Sequence, residues 1–140
     1  MINSELNFTL EEIIPKFPKE FQEKIKHSVE LLRKAEKLAL AYSPDEGFYL
    51  SFSMGKDSQC LYHIAKIAGV KFKAHMGLTS VDPPEVIKFG REQYPDVDMI
   101  KPKISIYNQA RKEGVLPTRL IRWCCRVYNE GIGAGNVVII

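Results

Sequence analysis

A hexapeptide with the composition of an anion-binding loop stands near the middle of the chain. Its sequence is Ser53-Met54-Gly55-Lys56-Asp57-Ser58, and it separates an apolar run at 48–52 from a run of helical periodicity at 59–68. A glycine turn between a strand and a helix exposes backbone N–H groups, and the positive end of the helix dipole adds to their effect. The two serines supply hydroxyl donors and Lys56 supplies a cation. The segment therefore predicts a binding site for phosphate or sulfate.

The spacing of this segment excludes two common phosphate loops. The Walker A pattern G-x-x-x-x-G-K-[ST] needs a glycine where Leu50 stands and a serine or threonine where Asp57 stands. The dinucleotide-binding pattern G-x-G-x-x-G needs three glycines, and Gly55 is the single glycine of this segment. A glycine-rich run at 131–135 precedes an apolar run instead of following one, which favours a loop.

The composition places the chain among globular intracellular proteins. It has 140 residues, of which 45% are hydrophobic and 26% are charged, so one domain with a substantial core is expected. No apolar run reaches the roughly 20 residues of a membrane helix, and the N-terminal residues lack the layout of a signal peptide. Three cysteines, two of them adjacent, do not make a disulfide framework and indicate reduced thiols or ligands of a cluster. We expect a cytoplasmic protein without membrane partners.

Positive charge is concentrated in one block at 101–126. This block holds seven basic residues and a single acidic residue, Glu113, whereas the net charge of the whole chain is +3. Such a block suits an anionic substrate or a nucleic acid, and a solvated basic surface is the alternative.

The elements that must position the loop alternate between strands and helices. Residues 1–43 predict an N-terminal helical segment that packs on the domain, because apolar residues recur every three or four positions from Phe21 to Tyr42. Residues 44–140 predict an α/β domain. Its predicted strands are 48–52, 70–76, 97–100 and 137–140, and its predicted helices are 59–68, 84–94, 105–113 and 120–128.

This alternation predicts a parallel sheet with flanking helices. Ligands of such sheets bind beyond the carboxyl ends of the strands, and the hexapeptide follows the first strand directly. Local signals support the helix boundaries: Gly69 and Gly114 are expected to end two helices, and Asp82 is expected to cap a third.

Four segments, in order along the chain, carry a family resemblance. They are 53–58, the helix start Val81-Asp82-Pro83-Pro84-Glu85, the segment 116–119 (Leu-Pro-Thr-Arg), and Arg122-Trp123-Cys124-Cys125. The first resembles the PP-loop S-G-G-x-D-S of ATP pyrophosphatases. Together the four resemble the phosphoadenosine phosphosulfate (PAPS) reductase family, over roughly residues 45–140.

The resemblance implies a three-layer, Rossmann-type fold of the adenine nucleotide alpha-hydrolase kind. It implies binding of PAPS, adenylyl sulfate or ATP, with sulfuryl or adenylyl transfer or reduction in sulfur metabolism. One alternative is an ATP pyrophosphatase that activates a nucleic acid for sulfur modification, with the 101–126 block as its contact surface. Another alternative is a truncated relative that binds nucleotide, or regulates a partner, without turnover. A homo-oligomer is compatible with each of these.

The resemblance assigns the nucleotide site to the loop, and the spacing of two arginines adds them as candidates, with a solvated surface as the alternative. Ser53, Gly55, Lys56, Asp57 and Ser58 would hold the phosphates, with Lys56 and Asp57 as catalytic residues. Asp57 either accepts backbone N–H bonds, caps the helix, or holds Mg²⁺ if ATP binds. Arg119 and Arg122 are expected to share one face of a helical turn and to grip the distal phosphate or sulfate.

The sequence also departs from the family pattern. Cys124 and Cys125 match half of an iron–sulfur motif, but this chain lacks the later cysteines, so a cluster held by it alone is not expected. Met54 replaces the first glycine of the loop, which requires that this residue keep a negative φ. The fourth strand ends the sequence, which predicts a chain that is incomplete at its C-terminus relative to the family.

Overall fold

The computed structural model describes residue 12, residues 14–128 and residues 133–140. After a short 3-10 turn, strands and helices alternate in the predicted order. The helices are α1 (Lys19–Tyr42), α2 (Lys56–Ala68), α3 (Pro84–Gln93), α4 (Ile106–Glu113) and α5 (Trp123–Tyr128). The strands are β1 (Phe48–Ser51), β2 (Phe72–Gly77), β3 (Asp98–Ile100) and β4 (Val138–Ile139).

The four strands form one parallel sheet in the order β3-β2-β1-β4. Its register places Ser51 beside His75, and Leu50 beside both Ala74 and Ile139. The chain adds β2 and β3 on one side of β1 and then returns to add β4 on the other side. The α/β class with a parallel sheet and flanking helices is therefore confirmed, as is the helix that precedes it.

One face of the sheet forms the hydrophobic core. Side chains alternate along a strand, so Phe48 and Leu50 share a face, and both are fully buried. The amphipathic helices α1 and α2 pack on this face, with Val29 and Tyr62 almost completely buried. The Tyr62 hydroxyl donates to the Asp96 carboxylate, and burial together with this hydrogen bond raises the pKa of Tyr62.

The opposite face of the sheet is polar. It carries Tyr49, Lys73, His75 and Asp98, which the register brings next to one another. Glu46, in the turn before β1, reaches the same region and pairs with Lys73 at 2.8 Å between Oε1 and Nζ. The two faces of β1 and β2 therefore differ in chemistry as well as in burial.

Local signals end several helices where the sequence predicts. Gly69 and Gly114 adopt left-handed backbone conformations, with φ of 69° and 71°, directly after α2 and α4. Ser105 caps α4, because its side chain accepts a hydrogen bond from the N–H of Asn108. Arg33 of α1 donates to the carbonyl of Ala68 at 2.9 Å, so the C-terminus of α2 is also fixed to the N-terminal helix.

Candidate functional site

The predicted anion loop lies at the carboxyl end of β1. Residues 52–55 connect the end of β1 at Ser51 to the start of α2 at Lys56. The chain places β2 and β3 on one side of β1 and β4 on its other side, so the strand order reverses at β1. Ligands of parallel α/β proteins bind at such a switch point. The fold therefore puts the loop where a ligand crevice is expected.

Hydrogen bonds between its serines and backbone close the loop. The Ser58 hydroxyl donates to the carbonyl of Gly55 at 3.0 Å and accepts from the N–H of Ser53 at 3.2 Å. The two serine oxygens lie 3.3 Å apart, and the N–H of Gly55 donates to Ser53 Oγ at 3.4 Å. Ser53, Gly55 and Ser58 thus come together as predicted, although Ser58 Oγ serves the loop itself.

The first turn of α2 presents donors and charge to solvent. The N–H groups of Lys56, Asp57 and Ser58 have no acceptor within the helix, as at any helix start. Lys56 and Asp57 are both exposed, and neither side chain makes an ion pair or a hydrogen bond with a residue that the structure describes. Asp57 therefore does not hold the loop through backbone N–H bonds. It does not cap α2 either, because the N-cap is Gly55 and no side chain caps this helix, so both of these predicted roles are wrong. Its carboxylate remains able to bind a ligand or a cation.

Met54 contradicts the expectation of a negative φ. Its φ is 60°, in the left-handed region that costs a residue with a side chain of order 1 kcal/mol or more. Its side chain is buried and packs against α3 at Gly90, which explains how the conformation is held. The only other described residue of this kind is Ser80, with φ of 70°, in the loop that follows β2. Two strained residues thus lie in neighbouring loops at the carboxyl edge of the sheet, a location typical of functional sites.

A cavity of about 350 Å³ adjoins the loop. Its polar lining includes Ser51, Ser53, Thr79 and Asp82 from the ends of β1 and β2 and the loops that follow them. Asp82 does not cap α3 as predicted, because Pro83 precedes that helix and Asp82 Oδ2 accepts from the N–H of Thr79 at 2.6 Å. Asp82 therefore shapes the loop after β2. The sequence did not lead us to Ser51 or Thr79 as site residues. Ser51 ends β1 and Thr79 follows β2 closely, and these positions could have indicated them.

Two stacked aromatic rings lie under this cavity. The rings of Tyr49 and His75 are parallel within 5°, with centroids 4.3 Å apart, and both residues are 7% exposed. The Tyr49 hydroxyl and both His75 ring nitrogens have no hydrogen-bond partner among the described residues. The carboxylates of Glu46 and Asp98 lie 3.8 and 3.6 Å from the two nitrogens, beyond hydrogen-bond length. Burial is the largest effect and lowers the pKa of His75, which favours the neutral ring.

The predicted arginine pair does not lie on a helix. α5 begins at Trp123, so Arg119 and Arg122 both precede it, and the expectation that they share a helical face is wrong. Neither arginine lines the cavity beside the loop. Arg122 instead donates from Nη2 to the Sγ of Cys125 at 3.3 Å. The described residues hold no cluster of three or more His, Cys, Asp or Glu side chains suited to a metal ion.

Comparisons with known proteins give no relative. No family model, no curated protein and no solved structure matches the chain. Within the described ranges, no helix combines the length and the apolar character that crossing a bilayer requires. The structure shows a parallel α/β protein whose loop 53–58 connects β1 to α2.

Proposed function

We propose that the loop 53–58 binds the phosphates of an adenine nucleotide, namely PAPS, adenylyl sulfate or ATP. The observation that carries this proposal is the closed serine–glycine loop at the carboxyl end of the switch-point strand. The helix-start N–H groups have no acceptor within α2, and the exposed Lys56 forms no ion pair with a described residue. Backbone donors at a helix N-terminus with a nearby cation stabilise anionic oxygens. The sequence resemblance to PAPS reductases supports the nucleotide and the sulfuryl or adenylyl chemistry.

In this proposal Lys56 neutralises charge on the phosphates or the phosphosulfate. The adjoining cavity, with Ser51, Thr79 and Asp82, provides the space beside the anion site that the rest of the nucleotide needs. We also propose a cytoplasmic location, because Cys60, Cys124 and Cys125 are all free thiols.

A second candidate is an ATP pyrophosphatase, and the exposed carboxylate of Asp57, which pairs with no residue that the structure describes, favours it. Magnesium in nucleotide sites is held by one or two carboxylates together with substrate phosphates. Asp57 lies in the first turn of α2, beside the proposed phosphate site, and so fits that role. When bound, the ion would neutralise phosphate charge. Asp57 would position it, and Lys56 would contact the same phosphates.

The proposal is tested by titrating ATP with magnesium, and separately PAPS, while following the melting temperature and the heat of binding. We expect Lys56→Ala to weaken nucleotide binding about tenfold, as for loss of a charged hydrogen bond. Lys26→Ala is the matched control, since Lys26 is an exposed lysine on α1. If neither nucleotide binds, the proposed ligand is wrong. If Lys56→Ala and Lys26→Ala bind nucleotide equally well, the loop is not the binding site.

Pyrophosphate release separates the two candidates. The pyrophosphatase version predicts release from ATP that Asp57→Asn abolishes, whereas the PAPS version predicts tight PAPS binding without release. Nucleotide binding with no turnover of either compound would favour a protein that binds without catalysis.

A further inference from the structure

A second surface, distant in sequence from the loop, combines exposed apolar side chains with positive charge. We call it the α4–α5 surface, and it comprises α4, the connection 114–122 and α5. A groove of about 420 Å³ runs along it, lined by Tyr107, Ala110, Arg111, Gly114, Val115 and Leu116. Tyr107 is 69% exposed and Leu116 is 68% exposed. Such neighbouring apolar side chains at the surface are typical of an interaction site.

The connection after the groove carries further exposed apolar side chains. Leu120 is 96% exposed and Ile121 is about half exposed. Their turn is held in place, because Thr118 and Ile121 exchange hydrogen bonds of 3.0 Å in both directions. The buried Trp123 donates from Nε1 to the carbonyl of Val115 at 3.0 Å, which fixes the start of the connection to α5. The aliphatic side chains therefore project from a fixed backbone.

The charge of this surface is positive and little compensated. Its single acidic residue, Glu113, already accepts hydrogen bonds from Arg126 at 3.1 Å and from Gln109 at 2.9 Å. Among the residues that the structure describes, Arg111, Lys112 and Arg119 form no ion pair. A partner that covers the groove would meet these cations, and an acidic partner would be attracted to them.

The kind of apolar residue indicates the kind of partner. Single-stranded nucleic acids bind proteins by stacking bases on aromatic rings and by pairing phosphates with cations. Tyr107 is the one exposed aromatic side chain of the described part of this surface, whereas Leu116, Leu120 and Ile121 are aliphatic. Exposed leucines beside cations instead match a protein segment with carboxylates and aliphatic side chains.

We infer that the α4–α5 surface binds an acidic protein segment whose aliphatic side chains pack in the groove and on the 118–121 turn. The charges give the attraction and the orientation, and the leucines give the affinity. This inference does not depend on the nucleotide site, because none of its residues belongs to the loop 53–58.

The test uses the full chain and a fluorescent peptide of glutamates interrupted by two leucines. We expect this peptide to bind about tenfold more tightly than the same peptide with serines in place of the leucines. The double variant Leu116→Ser, Leu120→Ser should bind both peptides equally weakly. A second double variant, Leu31→Ser, Leu38→Ser, alters exposed leucines of α1 and should bind like the unmodified chain.

Three outcomes would overturn the inference. One is equal binding of the leucine and serine peptides, which would mean attraction by charge alone. Another is tighter binding of single-stranded oligothymidylate that the leucine variants leave unchanged, which would assign the surface to nucleic acid. The last is no binding of either peptide at low salt. The melting temperature of each variant shows that it is folded.

Discussion

The two faces of the sheet are built from the same strands but differ in the chemistry of their side chains. On one face Phe48 and Leu50 are fully buried beneath α1 and α2. On the other, Tyr49 and His75 are almost as deeply buried, yet the Tyr49 hydroxyl and the His75 ring nitrogens have no hydrogen-bond partner in the described part of the chain, and the carboxylates of Glu46 and Asp98 lie nearby. Burial alone therefore does not distinguish the faces. The faces differ in the kind of atom that is buried: carbon atoms on one face, and polar atoms of Tyr49 and His75 on the other.

Tyr49 and His75 also line the cavity beside the loop. A buried polar atom without a partner costs about 1–3 kcal/mol of folding free energy. We therefore expect the apolar face to contribute more to stability than the polar face. Substitutions that affect one face or the other can test this division.

The largest effect is expected on the apolar face. Leu50→Ala removes a fully buried side chain from the middle of β1 and should lower the free energy of unfolding by about 2–5 kcal/mol. Val138→Ala is the control, on the other face and 42% exposed, and should cost about 1 kcal/mol or less. Urea denaturation measures both. Equal losses would show that the two faces contribute equally to stability.

An intermediate effect, dependent on pH, is expected on the polar face. Burial lowers the pKa of His75 in the folded state below the unfolded value of 6.5, so the unfolded chain takes up a proton first. Stability contributed by the neutral ring is present above pH 6.5 and is lost as the pH falls below it. The carboxylates of Glu46 and Asp98 reduce this loss, and Lys73 increases it.

His75→Phe should reduce the loss of stability as the pH falls below 6.5, by at most about 1.4 kcal/mol per pH unit. The phenyl ring keeps the stack on Tyr49 but cannot be protonated. His63 titrates with the same sign and remains in both proteins. His27→Phe, at an exposed position of α1, is the control. If the free energy of unfolding depends on pH in the same way in His75→Phe as in the unmodified chain, then protonation of His75 does not destabilise the folded state.

The smallest effect is expected from the ion pair at the border of the polar face. Glu46→Gln removes the partner of Lys73, and the side chains of both are more than two-fifths exposed, so solvent screens their attraction. We expect a small decrease in the urea midpoint at low salt that disappears near 1 M salt. Glu20→Gln, which breaks the exposed pair with Lys24 on α1, is the comparison. A decrease that persists at high salt would contradict this expectation.

Features governed by neighbouring residues could be predicted from the sequence. The alternation of strands and helices, the caps at Gly69 and Gly114, and the serine–glycine loop all depend on a few consecutive positions. The loop could be placed at the carboxyl edge because parallel sheets have only one such edge.

Features governed by distant contacts could not be predicted in this way. Met54 takes its conformation because its side chain packs on α3, and Asp82 bonds within its own loop instead of capping the helix. Arg119 and Arg122 precede α5 because that helix begins only at Trp123. The stack of Tyr49 and His75 follows from the strand register, which a single sequence does not specify.

The contact between Met54 and Gly90 couples the choice of residue at two positions that are far apart in the sequence. A Cβ atom at Gly90 would lie 2.1 Å from Met54 Cε and 2.7 Å from Met99 Cε, so an alanine there requires the ends of both methionine side chains to shift. A glycine at position 54 would relax the backbone and leave a void above Gly90. Alanine at 90 should therefore be accommodated more easily together with a smaller residue at 54. Homologous chains should show these two positions changing together.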